Sequence, residues 1–310
     1  MDNLQHTPLE CSNYALYYPL PFSHKRYFSI KRNQFFYKHR TNDPYISGDS
    51  IARLTDYHTY GRSKKDSISI TKLEKADSIF VPGELLLDFI QKYESNIKAR
   101  TLVTGNSDQN FTEEVILPLS IQLWLCQNSA MPTKLGVATL PIGIENISLG
   151  RTGFSYYYNK HHQGADSTVV LVPPMSPTNS IRFKVVAEAM GRPEVFHVHR
   201  HYLPEKEYFS LARSYRFIMC CEGNGFENHR IWETLYQGSF PVMLNSAWAN
   251  SLKYLNLPIL FIDDLSEVTA DLLKEFEVRH KDFDPSNTAQ LWTPFWKSII
   301  LHATVGPPQS

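Results

Sequence analysis

Phe217-Ile218-Met219-Cys220-Cys221-Glu222-Gly223-Asn224-Gly225-Phe226-Glu227-Asn228-His229-Arg230-Ile231-Trp232-Glu233 changes character twice along its length. It opens as an unbroken apolar run, the pattern of a strand covered on both faces. Gly223 and Gly225 then make a turn, and a helix follows from Asn228 to Tyr236. Gly238 closes that helix at the position where a left-handed residue is easiest to place. A strand that turns directly into a helix brings backbone N–H groups and a helix N-terminus to one edge, a natural seat for phosphate. Arg230 falls in the first helical turn, where a cation opposes the helix dipole. That placement suggests an anionic partner for it. Glu233, three residues on, shares a face with Arg230. Two readings follow from the spacing. Either Arg230 forks onto a diphosphate while Glu233 accepts hydrogen bonds from ribose hydroxyls, or the two form a plain ion pair on a helix surface.

The same grammar extends outward in both directions. Downstream, Phe240 to Leu244 and Ile259 to Ile262 are strands around a helix from Ala247 to Leu255, and Ser266 is the expected cap of a helix running to about Val278. Upstream, Thr168 to Val172, Glu194 to Val198 and Arg216 to Cys221 are strands. They alternate with helices over Ile181 to Met190 and Glu205 to Arg213. In the first half, Ser78 to Val81, Thr101 to Thr104 and Gly136 to Leu140 are strands, Glu84 to Ile97 has helical spacing, and Pro118 to Leu125 is ambiguous. Alternation of apolar strands with helices predicts an α/β fold with parallel sheets. The Gly- and polar-rich stretch from Gly150 to Asp166 separates two such runs. The expected organisation is a first lobe over residues 1–150, a second over 151–282 and a helical tail over 283–310 that packs back on the first. Two doubly wound lobes face each other across a cleft at the carboxyl ends of their strands, where ligands bind in such sheets.

Composition narrows the function. The 310 residues carry 31 Lys plus Arg and 31 Asp plus Glu, for a formal net charge of zero. A general basic field is missing, so no nucleic-acid partner is expected. No apolar run reaches the 18 or so residues of a membrane-spanning helix, and Met1 to His6 has no signal-peptide pattern. The expectation is a cytoplasmic protein whose four cysteines are reduced. One local bias stands out. Lys25, Arg26, Lys31, Arg32, Lys38 and Arg40 are interleaved with five aromatic residues and no acid. This Lys25–Arg40 segment reads either as a solvated face over packed aromatics or as a peripheral contact with an anionic lipid face or glycan acceptor. A GxGxxG turn followed by an acid about 20 residues on, the dinucleotide fingerprint, does not occur.

The run from Glu222 to Val242, with Glu222-Gly223-Asn224-Gly225, then His229-Arg230-Ile231-Trp232-Glu233, Leu235, Gly238 and Pro241-Val242, resembles the C-terminal signature of exostosin-like glycosyltransferases. Thr104-Gly105-Asn106-Ser107-Asp108 is similar to a strand-closing segment of bacterial and viral relatives. Trp124, Gln127-Asn128 and Leu140-Pro141-Ile142-Gly143-Ile144-Glu145-Asn146 resemble the passage between lobes. The resemblance covers roughly residues 76 to 265, and the first 75 match nothing. It implies a GT-B architecture, two Rossmann-like lobes across a cleft. The implied activity moves a sugar from a nucleotide donor, typically UDP-linked, to a hydroxyl of an oligosaccharide or other glycoconjugate. Inversion and a site without metal or other cofactor are implied too. On this pattern Arg230 compensates the leaving diphosphate, Glu233 holds the ribose, and Asn224 and Gly225 line the phosphate turn beside His229. Arg182, after Pro177-Thr178-Asn179-Ser180, is a second phosphate candidate, with a generic surface Arg as its plain alternative. Glu222 departs from the pattern, since many relatives carry a neutral residue there. A carboxylate repels phosphate, so Glu222 is expected to face a sugar hydroxyl or the acceptor.

Inversion needs a base to take the acceptor's proton, and a GT-B cleft draws it from the first lobe. Asp108 is the leading candidate and also reads as a turn residue capping its own backbone. Asp56 and His58 are the reserve pair. His197, His199 and His201 alternate onto one strand face, where contact with diphosphate is favoured over metal binding. The alternative to an enzyme is a catalytically inactive module that binds a nucleotide sugar or glycan.

Overall fold

A computed structural model describes residues 42–59, 68–131, 136–149, 151–158 and 166–305. The Lys25–Arg40 segment and Cys11 lie outside these. In chain order the elements are α1 (Gly48–Ala52), β1 (Tyr57–His58), α2 (Ile70–Glu74), β2 (Ser78–Pro82), α3 (Leu86–Tyr93), β3 (Thr101–Gly105), β4 (Leu123–Cys126) and β5 (Val137–Thr139). There follow β6 (Asp166–Val172), α4 (Ser180–Met190), β7 (Phe196–Val198), α5 (Glu205–Ala212), β8 (Tyr215–Met219), α6 (His229–Tyr236) and β9 (Phe240–Leu244). The chain closes with α7 (Ala247–Ser251), β10 (Leu260–Ile262), α8 (Ala270–Arg279) and α9 (Thr293–Val305). The protein is thus mixed α/β. Its strands form two five-stranded sheets, and every pairing is parallel.

The first sheet runs β1-β2-β3-β4-β5. Every residue of β2, β3 and β4 is buried, which explains why these strands read as unbroken apolar runs. Successive side chains alternate between faces. Ile79, Val81, Leu102 and Trp124 pack with Leu73 of α2 and with Leu86 and Phe89 of α3. Phe80, Val103 and Leu125 turn the other way, into a cluster with Ile51, Trp296 and Ile300. The tail enters here: Trp292 bridges to Tyr45, and Thr293 N donates to Pro44 O at 3.0 Å.

The second sheet runs β7-β6-β8-β9-β10. The chain steps from β6 to one side for β7, then crosses to β6's other side for β8. The strand order therefore reverses between β6 and β8, and in open parallel sheets the ligand crevice lies at the carboxyl ends of such a pair. Val170, Phe217, Met219, Phe240 and Val242 face Val185 of α4 and Phe276 of α8. Leu171, Ile218 and Met243 join the cluster that also takes in the first sheet's inner face. The carboxyl-end loops of the two sheets meet. Thr139 Oγ1 donates to Ser251 Oγ at 2.8 Å, and the Tyr236 hydroxyl of α6 accepts from Ile46 N at 3.0 Å.

Local expectations hold at Gly238, with φ +80°, and fail at one cap. The helix expected from Ser266 begins later. Asp264 accepts from Ser266 N at 2.8 Å and starts a short 3-10 turn. Thr269, accepting from Leu272 N at 3.1 Å, is the cap of α8. Three good cap residues lie within six positions, and Ser266 falls inside the first turn. Among the described residues no helix is long and apolar enough to cross a membrane.

Candidate active site

Two arginines occupy the crevice between β6 and β8. After β6, Pro173 and Pro174 stop the strand because neither has an N–H to donate. The freed Pro174 carbonyl accepts from Arg230 Nη2 at 2.9 Å, and Arg230 Nε reaches the Tyr208 hydroxyl at 3.3 Å. Arg182, near the start of α4, donates to Ser176 O at 2.9 Å and to Glu222 O at 2.7 Å. A side chain on residue 223 would come within 3.2 Å of the Arg182 guanidinium, so glycine there gives it room. Burial lowers the Arg182 pKa, and the charge of Arg230 lowers it further. Arg230 is half-buried, which also lowers its pKa, but Tyr208, Cys220 and Glu233 outweigh that effect and the pKa is raised. The ion pairs among the described residues fall elsewhere, at Arg151–Glu145, Lys184–Glu188, Arg192–Glu194 and Arg216–Glu277. The crevice therefore holds two neighbouring cations whose hydrogen-bond partners are neutral oxygens. An incoming anion would relieve their repulsion and keep the backbone bonds that aim them.

Glu233 is withdrawn into the core beside them. It is only 5 % exposed, and the Tyr158 hydroxyl donates to it at 3.4 Å. Burial raises its pKa, opposed in part by His229 and Arg230. A surface Arg–Glu pair is therefore not what forms: the carboxylate is buried, and it attracts Arg230 without an ion-pair contact.

The glycine turn reaches across to the first lobe. Asn224 Nδ2 donates to Asp108 Oδ2 at 3.2 Å, and both residues are exposed. Phe226 N donates to Asn110 Oδ1 at 2.9 Å, and Glu227 N to Asn128 Oδ1 at 2.8 Å. Gly225 lies so close to Asn128 that a Cβ would sit 2.8 Å from its side chain. His229 Nδ1 donates to Gly143 O at 2.9 Å. Asn228 caps α6 by accepting from Arg230 N at 3.0 Å. So Asn224, Gly225 and His229, expected at the phosphates, instead join the lobes, while Arg182, Arg230 and the Glu222 backbone meet in the crevice.

Sequence reading passed over Glu227, which anchors this junction. It is 3 % exposed and accepts at one oxygen from Ile142 N (2.8 Å) and Trp232 Nε1 (2.6 Å). Its other oxygen is buried with no hydrogen-bond partner. Burial pushes its pKa up to about 8. Opposite it, Asn106 and Asn128 hold positive φ, 51° and 56°, an uncommon state that asparagine tolerates. Asparagine directly after a strand was the available signal for these turns.

Asp56 and His58 are not brought to the crevice. Asp56 accepts from Asp77 N (3.2 Å) and from Ser78 N and Oγ (2.9 and 2.8 Å), at the amino end of β2. His58 ends the edge strand β1, opposite Phe80. His197, His199 and His201 do line up, with ring centroids 6.4 Å apart at each step. Asp282 and Asp284 have Asp-x-Asp spacing, which sequence reading overlooked. Asp284 spends its carboxylate on Ser286 N (2.8 Å), Ser286 Oγ (2.7 Å) and Asn287 Nδ2 (2.9 Å). Among the described residues no three His, Cys, Asp or Glu form a metal-binding group. Cys126, Cys220 and Cys221 are free and buried.

No protein-family model and no curated protein matches the chain.

Proposed function

We propose that the chain is a glycosyltransferase of GT-B type that moves a sugar from a nucleotide donor, UDP-linked by preference, to a hydroxyl of a glycan acceptor. The observation that carries this reading is the Arg182–Arg230 pair at the strand-order reversal, whose hydrogen bonds go to carbonyl and hydroxyl oxygens. Two fixed guanidiniums suit a diphosphate, whose charge grows as the bond to the sugar breaks. The acceptor oxygen attacks the anomeric carbon, the sugar–phosphate bond breaks with its electron pair going to the diphosphate, and a carboxylate takes the hydroxyl proton. Asp108 fits that last role: it is exposed, on the opposite lobe, and 3.2 Å from Asn224 of the glycine turn. Neutralisation by arginine supports a transfer that needs no divalent ion. Residue similarity over 76 to 265 adds the exostosin-like pattern.

The test is UDP release from a panel of UDP-sugars, with and without oligosaccharide acceptors, beside calorimetric titration of UDP. Binding of UDP with acceptor-stimulated release supports the enzyme. Binding with no release under any acceptor, unchanged by Asp108→Asn, favours an inactive binding module. Absence of any nucleotide binding refutes the enzyme and a nucleotide-sugar-binding module alike.

A further inference from the structure

A cavity of about 340 Å³ opens beside the two arginines, between the carboxyl ends of β8, β9 and β10 and the start of α4. This lies within the size range of small-molecule pockets. Glu222 ties it to the crevice, because its backbone carbonyl holds Arg182 at 2.7 Å while the residue lines the cavity. The lining carries side-chain acceptors at Glu222, Asn245, Asp263 and Asp264, and donors at the Ser246 hydroxyl and Trp248 Nε1. Asn245 Nδ2 donates to Asp263 Oδ1 at 2.6 Å. Lys184, the cation of the lining, is 3.7 Å from Glu188. Asn245 Oδ1 is buried with no hydrogen-bond partner, which is costly unless a ligand supplies a donor.

This inventory selects the ligand chemistry. Carboxylates repel a phosphate or a uronate. Trp248 Nε1, buried with no hydrogen-bond partner, calls for an acceptor, and a hydroxyl oxygen accepts as well as donates. Hydroxyl groups donate, and adjacent hydroxyls can bond to neighbouring acceptors together. We infer that this cavity holds the vicinal hydroxyls of a neutral sugar ring attached to the diphosphate at Arg182 and Arg230, accepted by Glu222, Asn245 and Asp263. The inference rests on the nucleotide-sugar reading above. It gives to Glu222 the hydroxyl-accepting role that the buried Glu233 cannot fill in this structure. The ring is the ribose or the transferred sugar, which present the same diol chemistry.

Calorimetric titration of inorganic pyrophosphate, UDP and a set of UDP-hexoses into wild type, Glu222→Ala and Asp263→Asn tests it. Asp263 is exposed, so that variant should fold normally, and melting temperatures check both. Pyrophosphate affinity should fall in neither variant. The best UDP-hexose should bind both variants roughly 10- to 100-fold more weakly, the worth of one or two hydrogen bonds to a carboxylate. An equal loss for UDP places the ribose in the cavity, and an unchanged UDP affinity places the transferred sugar there. If pyrophosphate and UDP bind but neither variant weakens any nucleotide, the cavity assignment is overturned while the diphosphate site stands. If pyrophosphate and UDP both fail to bind wild type, the nucleotide-sugar reading fails and the cavity assignment goes with it.

Discussion

Removing either crevice arginine should separate function from stability. Arg230 and Arg182 each donate two hydrogen bonds to oxygens that carry no charge. Such bonds contribute about 1 kcal/mol each to folding. Part of that is offset because the charge of Arg230 already works against Arg182. Arg182→Gln should therefore cost no more than about 1–2 kcal/mol of stability, a fall of a few degrees in Tm for a chain of this size. Against a departing diphosphate the balance is different. A charge-assisted contact in a partly dry crevice contributes roughly 2–4 kcal/mol to the transition state. Losing it should lower kcat/KM about 30- to 800-fold. Arg230→Lys should recover little, since an ammonium cannot reach Pro174 O and Tyr208 and also fork onto a phosphate. UDP release at sub-saturating donor and UDP titration give the two readouts. Unchanged UDP affinity in both Arg182→Gln and Arg230→Ala, with Tm near wild type, would refute the diphosphate assignment.

Four further outcomes are expected. Asp108→Asn should leave UDP affinity near normal while turnover collapses, because only the proton acceptor is lost; an unimpaired kcat removes Asp108 as the base. Glu233→Gln should change Tm more than the donor KM, since its carboxylate meets Tyr158 inside the core; a donor KM raised tenfold with unchanged Tm would return it to the ribose. Activity should persist in EDTA, and complete loss restored by Mn²⁺ would overturn the arginine-based account. Glu227 should make stability fall as pH rises. Its folded pKa of about 8 lies above the ordinary 4.5, so between those values the unfolded chain releases a proton that the folded chain keeps. That gap caps the effect at ~5 kcal/mol. Glu227→Gln should flatten this part of the Tm–pH profile between pH 5 and 8, and a slope equal to wild type would show that the carboxyl is ionised in the fold.

Much of the fold was legible because the strands are buried on both faces. Phe217 to Met219 and Ser78 to Val81 carry no polar break, and runs of that kind have few other places in an α/β protein. Arg230 was legible for a similar reason: a cation in the first turn of a helix calls for a partner, whatever the partner is. Glu233 was not. Its spacing from Arg230 fixes a helical face, but Trp232 and Tyr236, both buried, decide how α6 rolls against the core. That roll carries the carboxylate toward Tyr158. Asp56 misled because the sequence cannot say at which end of a sheet a turn lies. Glu227 sits one residue before a good N-cap and has no local pattern of its own. Its partners Asn128 and Ile142 come from the other lobe.

The glycine turn serves both halves of the molecule at once. Its first residues carry the Glu222 carbonyl that fixes Arg182, and its middle carries the bonds to Asp108, Asn110 and Asn128. Its end is the cap from which α6 presents Arg230. A shift of this turn cannot move one function alone. On the proposed reading, drawing the arginines toward a diphosphate would pull on Asn224 and Glu227, and so on the loops that follow β3 and β4. Closing the first lobe over an acceptor would press Asn128 on Gly225, where a Cβ would sit 2.8 Å from the Asn128 side chain. Donor grip and lobe spacing would then be linked through this turn. Gly225 is required there by its close approach to Asn128, while at Gly223 a Cβ would sit 3.2 Å from the Arg182 guanidinium, which would have to give slightly.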